Sequence, residues 1–189
     1  MRDENGNFFP PVAAWSDVID PNYTCLELRW YMIGAMKFWV QEADIDGFRC
    51  DVTGMVPLNF WNTARAELEK IKPVFMLAEA ESPELQEKAF DMTHGWSMFH
   101  IMNGIVKGEI SVAHIDAYLE REFETYPRDA YRMYFTSNHD QNSWNGSVFE
   151  RLGERAKSAA FISFLRQSHG SETEFVPAGI SLCRRSGVI

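Results

Sequence analysis

Apolar residues recur along this chain at two spacings, which alternate from one segment to the next. Steps of three and four residues predict amphipathic helices, and short continuous apolar runs predict buried strands. An alternation of strand and helix is typical of an α/β fold with parallel strands and crossover helices. The predicted helices lie at 22–43, 59–72, 96–106, 111–123 and 150–165, with a short one after Pro83, and the predicted strands lie at 47–51, 74–77, 90–93 and 132–136.

The helical spacing also predicts which side of a helix is buried. In the first helix, Tyr31, Met32 and Trp39 belong to one apolar face. The helix that follows residue 111 runs through Val112, Ile115, Leu119 and Phe123.

Three segments of the chain lead to a carboxylate. Asp51, Glu79 and Asp140 each follow an apolar or β-prone run. The carboxyl ends of parallel strands meet at one edge, where barrels of such strands keep their chemistry. Two carboxylates placed across a sugar bond are the minimum for cleaving it, and a third can orient the substrate. The three acids are therefore candidates for one site, with sugar cleavage among the reactions that they could supply.

Arg49 and Asp51 are two residues apart on the first strand, so their side chains project from the same face. A guanidinium beside a carboxylate favours the charged form, which a nucleophile needs. A structural ion pair inside a barrel has the same spacing, and the pair alone favours that structural role.

Glu79 stands at the end of an apolar run. Burial raises the pKa of a carboxyl group, which suits a general acid that holds its proton near neutral pH. A carboxylate in this place also suits the N-terminus of a helix. Glu81 is an alternative candidate two residues further on, because spacing alone does not distinguish the two acids.

Polar and aromatic residues near the last strand complete the candidate site. His139 can donate to a sugar hydroxyl and Asp140 can accept from two, although the same cluster would suit a metal ion or a loop cap. Trp96 and Trp144 are candidates for stacking on sugar rings, with Trp144 in a polar loop beside the site. Core packing is the alternative for both tryptophans.

Composition and charge narrow the classes of function. The chain has 189 residues, 46% of them hydrophobic, enough for one globular domain with a sizeable core. A net charge of −9 argues against nucleic acid as a partner. The chain has no apolar run long enough for a membrane span, and its three cysteines lack a metal-binding or disulfide pattern. The start is polar and not a secretory signal, so we expect a cytoplasmic chain, although a longer parent could be secreted.

At these same acids the chain resembles the α-amylase family of glycoside hydrolases. Segment 47–51, Gly-Phe-Arg-Cys-Asp, is similar to that family's nucleophile motif. Segment 77–79 is similar to its acid/base segment, and segment 135–140 to its third-acid motif. The three occur in the family's order, and segment 17–23 resembles the stretch before the nucleophile strand. The resemblance covers roughly residues 15–165.

The resemblance implies part of a (β/α)8 barrel, about four strands of it, and a retaining reaction on α-1,4-glucans. Asp51 would be the nucleophile, Glu79 the acid/base, and Asp140 the residue that binds the 2- and 3-hydroxyls. Arg49 would hold Asp51, and His139 would bind a hydroxyl of the same sugar. A transglycosylase of the same family would use the same residues, with a sugar hydroxyl in place of water.

Other parts of the family pattern have no match here. They are the first three strands, the inserted domain with the usual calcium site, and the eighth strand. We therefore expect no metal or other cofactor in this chain, although calcium is possible in full-length relatives. We divide the chain into a partial-barrel catalytic region, 1–165, and an irregular tail, 166–189, for which we suggest an out-of-frame or vector origin.

A half barrel leaves two open sheet edges and an uncovered apolar face, so we expect a homodimer or a higher homo-oligomer. The expected substrate is a starch-type α-glucan or a maltooligosaccharide. The unmatched parts favour a second hypothesis, a non-catalytic barrel remnant that binds sugar or is purely structural.

Overall fold

The computed structural model describes residues 18–165 without a break, together with residues 4, 6, 8, 10–12, 14 and 15. These residues form two compact units, one holding the first two helices and the other holding the sheet and the remaining helices. The helices are α1 (Leu26–Glu42), α2 (Leu58–Glu69), α3 (Trp96–Lys107), α4 (Ala113–Thr125), α5 (His139–Trp144), α6 (Val148–Leu152) and α7 (Ala156–Leu165). The strands are β1 (Gly47–Cys50), β2 (Phe75–Ala78), β3 (Met92–His94) and β4 (Tyr131–Met133).

The four strands form one parallel sheet in chain order, β1-β2-β3-β4. A helix lies in the chain between β1 and β2, and two helices lie between β3 and β4. The close approach of β1 to β2 needs a glycine at position 47, because a Cβ there would collide with the backbone oxygen of Phe75. The predicted α/β fold, a partial barrel of about four parallel strands, is confirmed. Its strands all end at the same edge.

The helices of the sheet-containing unit pack around an apolar cluster. The helix predicted at 150–165 is two helices, because Gly153 interrupts it with a φ of 53°. The buried members of the cluster come from α3, α4, α6, α7 and the residue after β4: Met98, Met102, Tyr118, Tyr134, Leu152, Ala156 and Ala159.

The predicted apolar face of α1 is largely exposed, and α4 buries a charged residue. In α1, Tyr31 is 74% exposed and Trp39 is 54% exposed, whereas Ile33 is buried. This helix carries apolar residues on nearly every side, so a spacing of three and four residues does not select one face. In α4, Phe123 is 65% exposed because its neighbour Glu122 is the buried residue.

The last strand is shorter than predicted, and this changes the place of the third acid. β4 ends at Met133, and Asp140 lies in the first turn of α5 rather than at a strand end. The side chain of Asn138 accepts a hydrogen bond from the backbone N–H of Gln141 at 2.8 Å and thereby starts the helix. Trp144 is the last residue of α5 and not part of a loop.

Some predictions fall on other parts of the chain. The tail, 166–189, lies outside the described residues, and so does much of the segment before residue 18. The division at residue 165 therefore stays a prediction. Among the described helices, none has the length and apolar character that a bilayer crossing requires.

Candidate active site

Arg49 is the centre of a group of sequence-predicted site residues. Its Nη1 donates to Asp51 Oδ1 in a short contact, and its Nη2 lies 2.7 Å from Glu79 Oε1. Asp51 directly follows β1 and Glu79 directly follows β2, and the paired strands place Cys50 beside Ala78. The side chains of Arg49, Asp51 and Glu79 are 33%, 69% and 10% exposed. We call these three residues the Arg49 cluster.

The backbone after β1 holds Glu79 in place. The N–H of Val52 donates to Glu79 Oε2 at 3.1 Å. Val52 has a φ of 43°, a left-handed conformation that is strained for a β-branched residue. The N–H of Glu79 donates to both Cys50 O at 3.0 Å and Thr53 Oγ1 at 3.1 Å. Two neighbouring strand ends are thus fastened to each other at the carboxylates.

The pKa of Glu79 is raised above its ordinary value, and burial is the largest cause. The hydrogen bond from Val52 and the charge of Arg49 act in the opposite direction, while Asp51 adds to the increase. A carboxyl group that retains its proton to higher pH is suited to donate it to a leaving oxygen. Asp51 is the more exposed carboxylate of the cluster and the one more open to an incoming molecule.

Glu81 differs from Glu79 in its surroundings, which separates the two candidates. Its Oε1 accepts hydrogen bonds from Arg132 Nη2 at 2.7 Å and from the Tyr118 hydroxyl at 3.2 Å. Its Oε2 accepts from the backbone N–H of Ser97 at 2.8 Å and from the Ser97 hydroxyl at 2.7 Å. Four hydrogen-bond donors of the protein occupy its two oxygens, which leaves them little capacity to contact a substrate. The geometry favours Glu79 as the acid.

The predicted residues after β4 form a separate, exposed group. Asp140 and His139 are 51% and 73% exposed, and Nε2 of His139 lies 3.6 Å from Oδ2 of Asp140. Trp144 is 83% exposed. Among the described residues, no hydrogen bond or ion pair joins this group to the Arg49 cluster. The structure therefore joins Arg49, Asp51 and Glu79 by ion pairs, and it shows no such bond from the described His139, Asp140 or Trp144 to them.

Trp96 lies at the start of α3 in an aromatic cluster. Its ring packs edge-on against Phe135 at 4.8 Å between centroids and stacks with His100 at 6.0 Å and with His94 at 6.4 Å. The side chain is half-buried. Packing accounts for one part of the ring, and the remaining exposed part is available to a sugar.

His94 is a buried histidine beside the candidate site. It is 5% exposed, its Nδ1 lies 2.9 Å from the carbonyl oxygen of Ala78, and burial lowers its pKa. Ala78 immediately precedes Glu79, so this contact supports the same strand end. A lone histidine in an apolar segment gives no sequence signal for such a role. The positive φ of Val52 gives none either.

The described residues contain no group of three or more His, Cys, Asp and Glu side chains that could hold a metal ion. The expectation that the chain holds no metal or other cofactor stays a prediction.

Three comparisons relate this geometry to known proteins. No family model matches the chain. A curated relative, the α-amylase MalA of Haloarcula japonica, is 25% identical over 150 residues, which is 78% of this chain and 22% of MalA. The solved maltogenic α-amylase AmyB of Thermotoga neapolitana has 41% identity and a TM-score of 0.68 over 75% of this chain and 33% of its own.

The α-amylase of Lactobacillus plantarum matches over 88% of this chain, with a TM-score of 0.77 and 29% identity. The chain is a relative of the α-amylases. This α-amylase relative spans about a fifth of the length of the curated α-amylase MalA and 33–43% of the two solved enzymes. The predicted resemblance to the α-amylase family is confirmed.

Proposed function

We propose that the Arg49 cluster cleaves α-1,4-glucosidic bonds of starch-type glucans with retention of the anomeric configuration. The observation that carries this proposal is the single guanidinium that contacts both carboxylates. Retaining glycosidases hold their two carboxyl groups about 5–5.5 Å apart, whereas inverting enzymes separate them by about 6.5–9.5 Å to admit water. Two acids bridged by one guanidinium fit the shorter separation. The α-amylase names of the relatives support the choice of an α-glucan.

The proposed reaction has two steps. In the first, an Asp51 oxygen bonds to C1 of the sugar, the bond from C1 to the glycosidic oxygen breaks, and Glu79 gives its proton to that oxygen. In the second, water attacks C1, Glu79 takes the proton from the water, and the bond between C1 and Asp51 breaks. The raised pKa of Glu79 supports its role as the acid of the first step. Arg49 remains beside Asp51 in both steps.

We assign substrate binding to residues around this pair. Asp140 and His139 would bind hydroxyls of the sugar that reacts, and their exposure leaves both side chains open to it. Trp144 would stack on a neighbouring sugar ring, which its 83% exposure permits. Trp96 would contact the sugar with the part of its ring that the aromatic cluster does not cover. Binding by these groups requires that one glucan contact both them and the Arg49 cluster.

The direct test is release of reducing sugar from soluble starch by the purified 189-residue chain. Asp51→Asn should lower the rate by about 10⁴-fold, because the nucleophile carries a chemical step of its own. Asp46→Asn is the matched control, since Asp46 is 93% exposed and pairs only with Lys72 among the described residues. An Asp51→Asn variant with unchanged activity would assign the activity to another site or to a contaminant.

A non-catalytic, sugar-binding chain is the second candidate, and one observation favours it. Asp140 makes no described contact with the Arg49 cluster, so the three acids do not form one closed group. Titration calorimetry with maltoheptaose separates the two proposals. Binding without turnover, equal in the wild type and in Asp51→Asn, would support the second candidate. Longer oligosaccharides among the products would indicate transglycosylation rather than hydrolysis.

We also propose that the chain forms a homodimer. Helix α1 exposes large apolar side chains, and β1 and β4 are the outer strands of the four-stranded sheet. Light scattering should give about twice the 21.8 kDa of one chain, and a monodisperse monomer would exclude the dimer. The exposed apolar residues of α1 are Leu26, Trp30, Tyr31, Met32, Phe38 and Trp39.

A further inference from the structure

Arg132 is the centre of a second ionic group, which the proposed reaction does not use. Its side chain is 1% exposed, with Nε 2.6 Å from Glu122 Oε2 and Nη2 2.7 Å from Glu81 Oε1. Its Nη1 donates to Thr93 Oγ1, and its guanidinium carbon lies 4.0 Å from the centroid of the Tyr126 ring. Glu122 is itself 3% exposed. We call Arg132, Glu81 and Glu122 the Arg132 cluster.

A contribution to the free energy of folding does not by itself explain why a buried ionic group stands here. Taking an arginine and two carboxylates out of water is expensive, and apolar side chains of the same volume often serve the fold as well or better. The cluster instead fixes positions. Arg132 lies in β4, Glu122 in α4, and Glu81 in the segment after β2. One guanidinium with five N–H groups in a rigid plane holds these three elements in a single geometry.

Glu81 extends this geometry to residues of the candidate site. Its second oxygen accepts hydrogen bonds from the N–H and the hydroxyl of Ser97, in the first turn of α3. A backbone N–H in the first turn of a helix has no partner within the helix, so Glu81 caps α3. Trp96 is the first residue of that helix, and Glu79 is two residues before Glu81.

We propose that Glu81 is a positioning residue, which Arg132 holds in place. Glu81 in turn fixes the position of the segment that carries Glu79 and of the start of α3, which carries Trp96. Glu81 touches no substrate and transfers no proton. The proposal rests on the proposed function, because its main readout is the rate of glycoside cleavage. Val52 and Arg49 contact the side chain of Glu79 directly. Glu81 acts on Glu79 through the backbone that joins the two residues.

The principal test compares Glu81→Gln with Glu84→Gln in the full chain. The glutamine at position 81 has one acceptor oxygen instead of two, so it cannot serve both Arg132 and Ser97. Glu84 lies in the same segment, is exposed and serves as the matched control. With a chromogenic maltoside as substrate, we expect kcat of Glu81→Gln to fall about 10- to 100-fold, because a misplacement of about 1 Å can have that effect. KM should change less than kcat, and Glu84→Gln should match the wild type.

A second variant excludes general loss of structure. Ser97→Ala removes one hydroxyl donor and leaves Arg132 and Glu122 paired. We therefore expect a circular dichroism spectrum like that of the wild type and a fall in kcat smaller than that of Glu81→Gln. Equal kcat values for the wild type, Ser97→Ala and folded Glu81→Gln would overturn the positioning role. A decrease in thermal stability with unchanged kcat would overturn it as well.

A third measurement separates this proposal from the proposed function. If the wild-type chain cleaves no maltoside, the proposed function fails, and the pKa of Glu79 is then followed by carbon-13 NMR in the wild type and in Arg132→Lys. The lysine keeps the charge but cannot contact Glu81, Glu122 and Thr93 together, so a change in the pKa of Glu79 reports its position. A shift toward the ordinary carboxyl value supports the positioning role, and an identical titration overturns it.

Discussion

The Arg49 cluster and the Arg132 cluster each place one arginine between two carboxylates, yet their surroundings are opposite. The three side chains of the first are 33%, 69% and 10% exposed, and those of the second, in the order Arg132, Glu81, Glu122, are 1%, 21% and 3% exposed. In the first, Asp51 is open to an incoming molecule. In the second, further donors occupy the oxygens of Glu81. The same three charged groups therefore suit chemistry in one place and positioning in the other.

Glu79 and Glu81 make the same comparison within one segment. They are two residues apart, but burial raises the pKa of Glu79, whereas four hydrogen-bond donors surround Glu81. A proton can reside on the first and be given to a leaving group. The number of hydrogen-bond donors around each carboxylate, rather than its place in the sequence, distinguishes the proposed acid, Glu79, from the proposed positioning residue, Glu81.

After Asp51→Asn, the substitution of Glu79 has the largest expected effect on activity. Glu79→Gln should lower starch hydrolysis by about 10²- to 10⁴-fold, because a glutamine cannot donate the proton that the leaving oxygen needs. The measurement is the initial rate at the pH of maximal activity, with Glu84→Gln as the control. Retention of full activity by Glu79→Gln would show that the acid lies elsewhere.

The next effect contrasts the two arginines. Arg132→Met should destabilise the protein by about 3–5 kcal/mol, because it leaves the buried Glu122 without its ion-pair partner and removes the charged donor of Glu81. Arg49→Met should change stability by no more than about 1 kcal/mol, because its cluster is partly exposed, but should abolish most activity. Urea unfolding at pH 7 gives both numbers. Equal destabilisation by the two substitutions would remove the distinction between the clusters.

A smaller expected effect is the influence of Glu79 on how the free energy of unfolding depends on pH. A raised pKa in the folded state means that ionisation of Glu79 opposes folding, so its contribution falls as pH rises from 4.5 through the folded value. Glu79→Gln should therefore be more stable than the wild type at pH 7, by about 1 kcal/mol or less, and similar at pH 4. Thermal unfolding at both pH values checks this. A variant less stable at pH 7 than at pH 4, relative to the wild type, would contradict the assigned burial.

His94 should show the reverse dependence. Burial lowers its pKa, so the stability it contributes is complete above its ordinary value of 6.5 and is lost as pH falls below that. His94→Phe should lose less stability than the wild type between pH 7 and pH 5, a difference of about 1 kcal/mol. The comparison is made by urea unfolding at the two pH values. Parallel curves for the two proteins would show that His94 does not titrate in this range.

The smallest expected effect is that of a chelator. The described residues offer no group of metal ligands. We therefore predict that the activity measured in EDTA stays within about twofold of the activity measured without it. Loss of activity that calcium restores would place a metal site elsewhere in the chain.

The sequence predicted the part of the site that depends on strand ends. Asp51 and Glu79 directly follow short apolar runs, and parallel pairing of those runs is enough to bring them together. Asp140 was predicted less well, because Asn138 caps a helix where a strand end was expected. The hydrogen bond from the backbone N–H of Gln141 to the side chain of Asn138 starts this helix, and the spacing of apolar residues carries no signal for it.

The Arg132 cluster was outside the reach of sequence reasoning for another reason. Glu122 occupies the buried side of α4, whereas the apolar Phe123 next to it is exposed. A charged residue is buried there only because Arg132 reaches it from β4, ten residues later in the chain. Pairing across elements overrides the apolar pattern of a single helix. The apolar side of α1 was mispredicted because that helix is apolar almost all round.

The account depends most on Asp51 as the residue that bonds to the sugar. Incubation of the chain with a 5-fluoroglycosyl fluoride, which slows breakdown of the glycosyl-enzyme, followed by peptide mass spectrometry, tests this directly. We predict one added glycosyl mass on the peptide that contains Asp51 and none in Asp51→Asn. A label on another residue, or an active chain that acquires no label, would contradict the account.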